Sequence, residues 1–336
     1  MHAISKRLGL ALLIPGFVTA TPMGDLLAKR DASTYKLDTD YSSIHSDIFP
    51  ITYTYAPGYG DYTDFLDAYY DDEGWWGNAW LDVYDLTANE TYLEAAITIY
   101  NDVVDGEGTP CGGIWWDKAN TYVAAISNGL YAELSAGLAN RVSSDEASTY
   151  LASAEAEWDW FFSSGLIDSD NIVYDGLGSD GCTPSTDIFT YNQGVILGAA
   201  AELYKATGND TYLTQAAALA DASTADGSPV TSSSGILTES CDTSQSCDTT
   251  SEMFKGAYIR GLRKLQLVDP ETDWLNYITR NAQSLWNNDL DVESVDGNSE
   301  CVVGSAWAGP FDASQANAIT QGSALDALNS ALAATT

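Results

Sequence analysis

The chain has 336 residues, 48 of them acidic and 13 basic, which gives a formal net charge of −35. A surface of this sign repels phosphate backbones and anionic membranes, so nucleic acid is excluded as an expected partner, whereas a neutral sugar is not. The hydrophobic content of 45% is enough for one large domain or two small ones. With only His2 and His45 present, a Ser-His-Asp centre or a multi-histidine zinc site is disfavoured, and no metal is expected.

The amino terminus has the pattern of an exported protein. A basic start, an apolar run and small residues predict a signal peptide over 1–20. The dibasic pair Lys29-Arg30 then suits the removal of a propeptide over 21–30, or it is an ordinary basic pair. Residues 31–60 show no helical or strand period and are interpreted as irregular. Sequons at Asn89 and Asn209 fit a secretory route. The carboxyl terminus carries no lipid-anchor signal, so we expect a protein without a membrane anchor, secreted to the medium or the cell wall.

From residue 61 to 336 the pattern is helical almost throughout, which predicts a single all-α domain. The candidate helices lie at 61–70, 73–86, 90–104, 118–140, 144–163, 189–206, 210–223, 250–267, 271–287 and 312–333. The segments 85–96 and 205–217 repeat one another, because each ends a helix, turns at Asn and restarts with Thr-Tyr-Leu. Helical hairpins repeated in a ring form an (α/α)6 barrel, with a flat bundle as the alternative. No alternating run predicts a large sheet, although 172–174 is a candidate short strand.

The five cysteines are Cys111, Cys182, Cys241, Cys247 and Cys301. In an oxidising compartment most of them are expected in disulfides. Cys241 and Cys247 flank a short polar loop and form the favoured pair. The odd count leaves one thiol, which is either free or paired with a cysteine that this chain lacks.

The stretch 69–87, YYDDEGWWGNAWLDVYDLT, is the main candidate for chemistry. Asp71 and Asp72 stand at a helix start, where carboxylates are favoured by the helix dipole. Trp75 and Trp76 follow, and apolar residues then recur at helical spacing. Acids at a helix start and a stripe of tryptophans are also ordinary features of a core, so this stretch alone allows both a catalytic and a structural interpretation.

Further segments supply polar and aromatic candidates for ligand contacts. These are Trp115 and Trp116 in CGGIWW, Asn128 within a helix, Asp175 in VYDGL, and Tyr191, Asn192 and Gln193 in TYNQGVILG. Each has a structural explanation as well, because tryptophans fill cores, Asp-Gly signals a turn, and polar side chains can cap a helix or a neighbouring loop.

Several long motifs in one order resemble the family-76 glycoside hydrolases, the endo-α-1,6-mannanases and related fungal wall proteins. Besides the stretch 69–87, they are CGGIWW, AISNGLYAEL, VYDGL, TYNQGVILGAAAELYKATG, FKGAYIRGL and SALDALNSAL. The resemblance implies an (α/α)6 barrel, an α-1,6-mannan substrate and retaining hydrolysis. No cofactor is implied, and we expect a monomer. Relatives usually carry another helical pair where this chain has 31–60, so we expect either a truncated gene product or a ring that is open at its amino-terminal side.

The resemblance also assigns roles to residues. It makes Asp71 the nucleophile and Asp72 the general acid/base, although the residues alone leave open which aspartate has which role. We further expect Asp175 to bind sugar hydroxyls near the cleaved bond and the tryptophans to stack on neighbouring mannose units. Retaining glycosidases need two carboxyl groups about 5–5.5 Å apart. Adjacent helical residues point about 100° apart, so their carboxyl tips can diverge by that distance. Repulsion between the two raises one pKa, which leaves an acid beside an ionised nucleophile.

Three alternatives remain open at this stage. A transglycosylase would use the same residues, with a sugar hydroxyl in place of water. A non-catalytic mannan-binding protein would bind mannan without releasing reducing ends. A calcium-binding structural protein would use 289–300, whose acids alternate, but its glycine stands at the ninth position instead of the sixth.

Overall fold

The computed structural model describes residues 65–295 and 298–335, and this part of the chain contains nine α-helices. By their internal contacts the described residues form two compact units, 65–223 and 224–335. The described residues do not include the predicted signal peptide, the predicted propeptide or the segment predicted to be irregular. They also do not include the amino-terminal side of the predicted ring. Among the described helices, none is long and apolar enough to cross a bilayer.

The first unit consists of helical hairpins with one small two-stranded sheet. Its elements are α1 (Tyr70–Thr87), α2 (Glu90–Val103), β1 (Tyr122–Ala124), α3 (Ala125–Ala139), α4 (Ser144–Ser163), β2 (Gly176–Gly178), α5 (Thr190–Thr207) and α6 (Asp210–Thr224). Strands β1 and β2 are antiparallel, with Val123 opposite Leu177.

Helix α3 is the centre of this unit, and it packs against α1, α4 and α5. Its sequence AISNGLYAELSAGLA consists mostly of apolar and small residues, and all residues from Ala125 to Leu138 are buried. Helices that are apolar all round belong inside a core. Small residues bring the helix axes close together, since a Cβ at Gly74 of α1 would lie 2.8 Å from the Leu130 side chain of α3.

The repeat predicted between 85–96 and 205–217 is confirmed as two equivalent helical turns. Ala88 follows the last residue of α1 and Gly208 that of α5, and both are in the left-handed conformation, with φ of 52° and 66°. The next residue then caps the following helix in each case: Asn89 accepts from the Thr91 N–H at 3.1 Å, and Asn209 from the Thr211 N–H at 3.0 Å. The Asn side chain therefore satisfies a backbone donor at each helix start.

The second unit has three helices and a β-hairpin. Its elements are α7 (Phe254–Val268), α8 (Thr272–Asn288), β3 (Leu290–Val295), β4 (Asn298–Val303) and α9 (Ala318–Thr335). Helix α9 packs against both α7 and α8. Lys255 in the first turn of α7 is completely buried and forms an ion pair with Asp242 at 2.7 Å. This buried pair lies beside the Trp307 ring, whose centroid is 5.9 Å from Lys255 Nζ.

Disulfides join Cys111 to Cys182 and Cys241 to Cys247. The predicted Cys241–Cys247 pair is thereby confirmed, and Cys301 belongs to neither bridge. The Cys111–Cys182 bridge ties together two loops 71 residues apart in sequence. Short-range spacing could not predict it, because it depends on the tertiary fold.

Several helix boundaries differ from the prediction for physical reasons. Residues 65–69 are not helical, because Tyr69 pairs with Asp117 in a β-bridge; the rest of the predicted helix 61–70 lies outside the described residues. Helix α3 begins at Ala125 instead of 118, since 122–124 form strand β1. The candidate strand 172–174 forms only a single bridge, from Val173 to Ile167. Most of the candidate calcium loop 289–300 belongs to the β3–β4 hairpin.

Candidate active site

The amino-terminal end of α1 is fixed by the loop that carries the two tryptophans of CGGIWW. The Tyr70 N–H donates to the Trp116 carbonyl at 2.8 Å, and the Lys118 N–H donates to the Ala68 carbonyl at 2.9 Å. The Trp116 N–H in turn donates to the Tyr122 carbonyl at 2.8 Å, which ties the loop to strand β1. These backbone bonds hold the Trp116 side chain against the first turn of α1.

Asp71 and Asp72 lie side by side in that first turn but in different surroundings. The Trp116 side chain hydrogen-bonds to the Asp71 carboxyl group, while no donor among the described residues contacts Asp71 Oδ1. Burial, with the Asp72 charge as a second cause, raises the pKa of Asp71 to about 7. Asp72 is exposed; partial desolvation and then the Asp67 charge raise its pKa above the usual range. Near neutral pH the pair can therefore hold one proton.

An ion pair with a buried carboxyl group supports the first turn of α1. Glu73 is completely buried, and its Oε1 accepts from Lys118 Nζ at 2.7 Å and from the Asp67 N–H at 2.8 Å. Lys118 also contacts Asp102 of α2 at 2.5 Å. Glu73 thus links the first turn of α1 to the segment at Asp67 and to the loop at Lys118.

Asp175 lies in the loop before β2, and three hydrogen-bond donors from β1 and α5 hold its carboxyl group. Tyr122 OH donates to its Oδ2 at 3.1 Å, and Tyr191 OH and Asn192 Nδ2 donate to its Oδ1 at 3.4 and 3.2 Å. Burial raises the pKa of Asp175, and the hydrogen bonds from Asn192 and Tyr122 oppose that shift. The predicted residues Asp175, Tyr191 and Asn192 therefore form one polar cluster.

Aromatic side chains join this cluster to the Asp71 end of the site. Trp75, Trp116, Tyr122 and Tyr191 all pack against one apolar group formed by Ala124, Ile126, Leu130 and Val195. Because Trp116 bonds to Asp71 and Tyr122 bonds to Asp175, the two carboxyl groups are connected through the apolar group that both rings contact. Flat aromatic surfaces beside carboxyl groups suit a sugar, which has apolar ring faces and many hydroxyls.

Trp76 lies in a different cluster from Trp75. Its ring is 43% exposed and contacts Phe65 and Trp80, with centroid distances of 4.9 and 5.9 Å. Adjacent helical residues point about 100° apart, so Trp75 and Trp76 cannot face the same partner. Trp115 is half-buried, and its backbone N–H donates to the Gly106 carbonyl at 3.0 Å.

Asn128 and Gln193 have buried amide groups that form hydrogen bonds with backbone N–H and C=O groups. Asn128 accepts from the Ile114 N–H at 2.7 Å and donates to the Ile114 and Ala124 carbonyls. Gln193 accepts from the Val173 N–H at 2.8 Å and donates to the Val173 carbonyl at 2.7 Å. We therefore expect both to hold the loops that carry the site, in place of the sugar contacts that the sequence suggested.

Two parts of the site were not predicted from the sequence. Tyr122 was placed inside a helix from 118, and nothing in the local pattern of NTYVAAI marks it as a partner of Asp175. Glu73 and Lys118 are 45 residues apart, so their ion pair has no local signal either. The single cluster of possible metal ligands among the described residues, Cys241, Asp242 and Cys247, contains two cysteines already joined in a disulfide.

The Asp71→Asn variant is expected to be more stable than the natural protein at neutral pH. A carboxyl with a folded pKa of about 7 and an ordinary pKa of 3.8 binds more protons in the folded state between those values, so stability falls as pH rises from about 4 to 7. The free energy of unfolding falls by up to about 4 kcal/mol over this range, because each unit of pKa shift corresponds to about 1.36 kcal/mol. Urea unfolding of both proteins at pH 5 and pH 7.5 measures it. The gap should widen at pH 7.5, and an equal gap at both pH values would contradict the buried position of Asp71.

A family model for glycosyl hydrolase family 76 matches residues 31–336. The mannan endo-1,6-alpha-mannosidase DCW1 of Saccharomyces cerevisiae is 31% identical over 229 residues, which cover 61% of this chain and 49% of that protein. Overall the chain spans about half, or less, of the length of the first curated relatives that it matches.

Solved structures match most of the chain. The alpha-1,6-mannanase of Salegentibacter sp. HEL1_6 superposes with a TM-score of 0.72 at 24% identity, over 92% of this chain and 87% of that one. An inactive variant of the same mannanase, with two adjacent aspartates changed to asparagine and alpha-1,6-mannotriose bound, gives a TM-score of 0.68 at 24% identity, over 80% and 76% of the two chains. This likeness establishes the fold, an all-α (α/α)6 barrel, as the sequence predicted.

Proposed function

Because this chain belongs to glycosyl hydrolase family 76, we propose that it is an endo-acting α-mannosidase that hydrolyses the α-1,6-mannan backbone with retention. The observation that carries the proposal is the pair Asp71 and Asp72 in the first turn of α1. One member is desolvated against Trp116 with a pKa raised to about 7, and the other is exposed. A retaining glycosidase needs one protonated and one ionised carboxyl group beside the scissile bond.

The proposed reaction is a double displacement. In the first step the ionised carboxylate attacks the anomeric carbon, the bond to the glycosidic oxygen breaks, and the other carboxyl gives its proton to that leaving oxygen. In the second step the now ionised acid takes a proton from water, whose oxygen attacks the same carbon and releases the enzyme carboxylate. Two inversions at one carbon leave the product with the configuration of the substrate.

Aromatic and polar groups around the pair support a mannan substrate. Trp75, Trp116 and Tyr191 offer ring surfaces for stacking, and Asp175 offers a carboxylate already held by three donors. In the solved relative, the variant with two adjacent aspartates replaced is described as inactive and holds alpha-1,6-mannotriose. That protein has an adjacent aspartate pair, as this chain has at Asp71 and Asp72.

Release of reducing ends from linear α-1,6-mannan by the mature protein tests the proposal. We expect steady release of reducing ends with short oligosaccharides as early products. A folded protein that binds mannan but releases no reducing ends would support the non-catalytic alternative. Products longer than the substrate, formed without a net gain of reducing ends, would support the transglycosylase.

We also propose that the protein is secreted and carries N-glycans at Asn89 and Asn209. Both residues are exposed, and their side-chain oxygens, not their nitrogens, make the capping bonds to the next helices. Helix α1 is 18 residues long, so Asn89 lies about 27 Å along its axis from Asp71, at 1.5 Å per residue. A glycan at this end leaves the catalytic end uncovered.

The matched variants Thr91→Ala and Thr211→Ala remove each sequon but keep the capping asparagine. Each is expected to lower the mass of the secreted protein by one glycan, with mannan hydrolysis unchanged. Mass spectrometry before and after enzymatic deglycosylation measures this. A secreted protein whose mass is the same with and without Thr91 would contradict glycosylation at Asn89.

A further inference from the structure

A cleft lies in the first unit, between α4 and the loop that follows α2. It measures about 710 Å³, within the range of roughly 300–1,000 Å³ that is usual for ligand sites. The face of α4 that lines it is made of small residues, among them the exposed Thr149, Ala152 and Ala156. These are spaced three and four residues apart, which places them in one row along the helix. None of the residues placed in the catalytic cluster lines this cleft.

The opposite wall of the cleft is rigid. The loop at Gly112 and Gly113 is tied by the Cys111–Cys182 disulfide, and the Trp160 Nε1–H donates to the Cys111 carbonyl at 2.8 Å. Both glycines have positive φ, 74° and 67°, and the Trp160 ring lies so close that an added Cβ would clash with it. Trp160 is half-buried, so a fixed aromatic ring lines the cleft.

A carboxyl group at the floor of the cleft lacks a hydrogen-bond donor. Glu157 is only 6% exposed, and among the described residues none donates to its Oε1. Glu107 lies nearby on the loop and accepts from Tyr131 OH at 2.8 Å. Burial, and then the Glu107 charge, raises the pKa of Glu157 well above its usual value. A buried polar atom without a partner is costly, and a ligand that contacts it removes that cost.

We infer that this cleft is a second, non-catalytic carbohydrate-binding site that holds a neutral α-mannan chain. Trp160 supplies a ring for the apolar face of a sugar, and Glu107, Glu157 and the serine and threonine hydroxyls of α4 supply hydrogen-bonding groups for its hydroxyls. The residues that line the cleft include no Lys, Arg or His, so a phosphate or another anion has no counter-charge there. The choice of mannan rests on the proposed function, because a polymer cleaved at one site can be held at another.

The test measures binding of soluble α-1,6-mannan to the Asp71→Asn/Asp72→Asn protein by affinity electrophoresis. Adding Ala156→Arg fills the cleft from an exposed position on α4 and should weaken binding at the cleft roughly tenfold, the size expected for one aromatic contact with one or two hydrogen bonds. Retardation should then fall to the level that the catalytic end gives alone. Ala152→Arg, one turn earlier on the same face, should act likewise. Ala218→Arg is the matched control, since it adds the same charge at an exposed alanine of α6 outside the cleft.

Circular dichroism confirms that each variant is folded before binding is compared. Equal retardation by Ala156→Arg, Ala152→Arg and Ala218→Arg would overturn the inference. A cation site in the cleft would overturn it as well. Calorimetry would then show that calcium binds the natural protein and that Glu157→Gln abolishes calcium binding, while retardation by mannan is unchanged. The proposed function can fail while this inference stands. If mannan binds at the cleft but the natural protein releases no reducing ends, the binding site is supported and the catalytic role is not.

Discussion

Asp71→Asn and Asp72→Asn are each expected to lower kcat on α-1,6-mannan by about 10²–10⁴-fold, the usual contribution of a positioned acid or base, and each acts in the proposed displacement. Asparagine keeps the shape and can still accept from Trp116, so the loss reports chemistry and not folding. Asp145→Asn is the control, because Asp145 is an exposed aspartate in the first turn of α4. Steady-state release of reducing ends measures all three. A loss below about tenfold in either catalytic variant would remove that residue from the reaction.

Chemical rescue then separates the roles of the two aspartates. The family resemblance assigns the nucleophile to Asp71, whereas burial gives Asp71 the higher pKa in the free protein, which is a property of an acid. With an activated mannoside and azide, the variant that lacks the nucleophile forms the β-mannosyl azide by a single inversion. The variant that lacks the acid/base forms the α-mannosyl azide after two inversions. The β product from Asp71→Asn would support the assignment from the resemblance, and the α product would reverse it.

Lys255→Met is expected to lower the free energy of unfolding by about 3–5 kcal/mol, the range measured when one partner of a buried ion pair is removed. Lys255 contacts both oxygens of Asp242, at 2.7 and 2.8 Å, and is completely buried. Asp289 is also completely buried, and burial raises its pKa to about 8 while the Lys255 charge opposes that shift. Removing Lys255 therefore leaves two buried carboxyl groups without their cation.

Urea unfolding of the full chain measures this change. Lys264→Met, on the same helix at a half-buried position, is the control and should change stability by less than about 1 kcal/mol. The double variant Lys255→Met/Asp242→Asn should recover part of the loss, because it removes the unpaired charge as well. An equal loss in Lys255→Met and Lys264→Met would show that the ion pair does not stabilise this unit.

The helical fold could be predicted from the sequence because its signals are local. The repeated turns at Asn89 and Asn209 are visible as a repeated string, and a left-handed residue followed by a capping asparagine explains that string. Strand β1 was missed because Tyr122–Ala124 is only three residues long and leads directly into α3. Its pairing with β2, more than 50 residues away, determines its conformation.

The candidate site was predicted in part, and the difference has a physical cause. Asp175, Tyr191 and Asn192 lie together as expected, because loops before two inner helices meet at one end. Asn128 and Gln193 have the residue type of a sugar ligand, but whether an amide faces a ligand or a backbone segment depends on the fold. In this fold both amides bond to buried loop backbone.

The configuration of the first product is the most direct test of the central claim, that Asp71 and Asp72 cleave mannan by double displacement. Proton NMR during the first minutes of hydrolysis distinguishes the α-anomer from the β-anomer before they interconvert. We expect the α-anomer as the first product, with its signal absent in Asp71→Asn and Asp72→Asn. A β-anomer formed first would mean a single displacement by water, which contradicts a nucleophilic role for either aspartate.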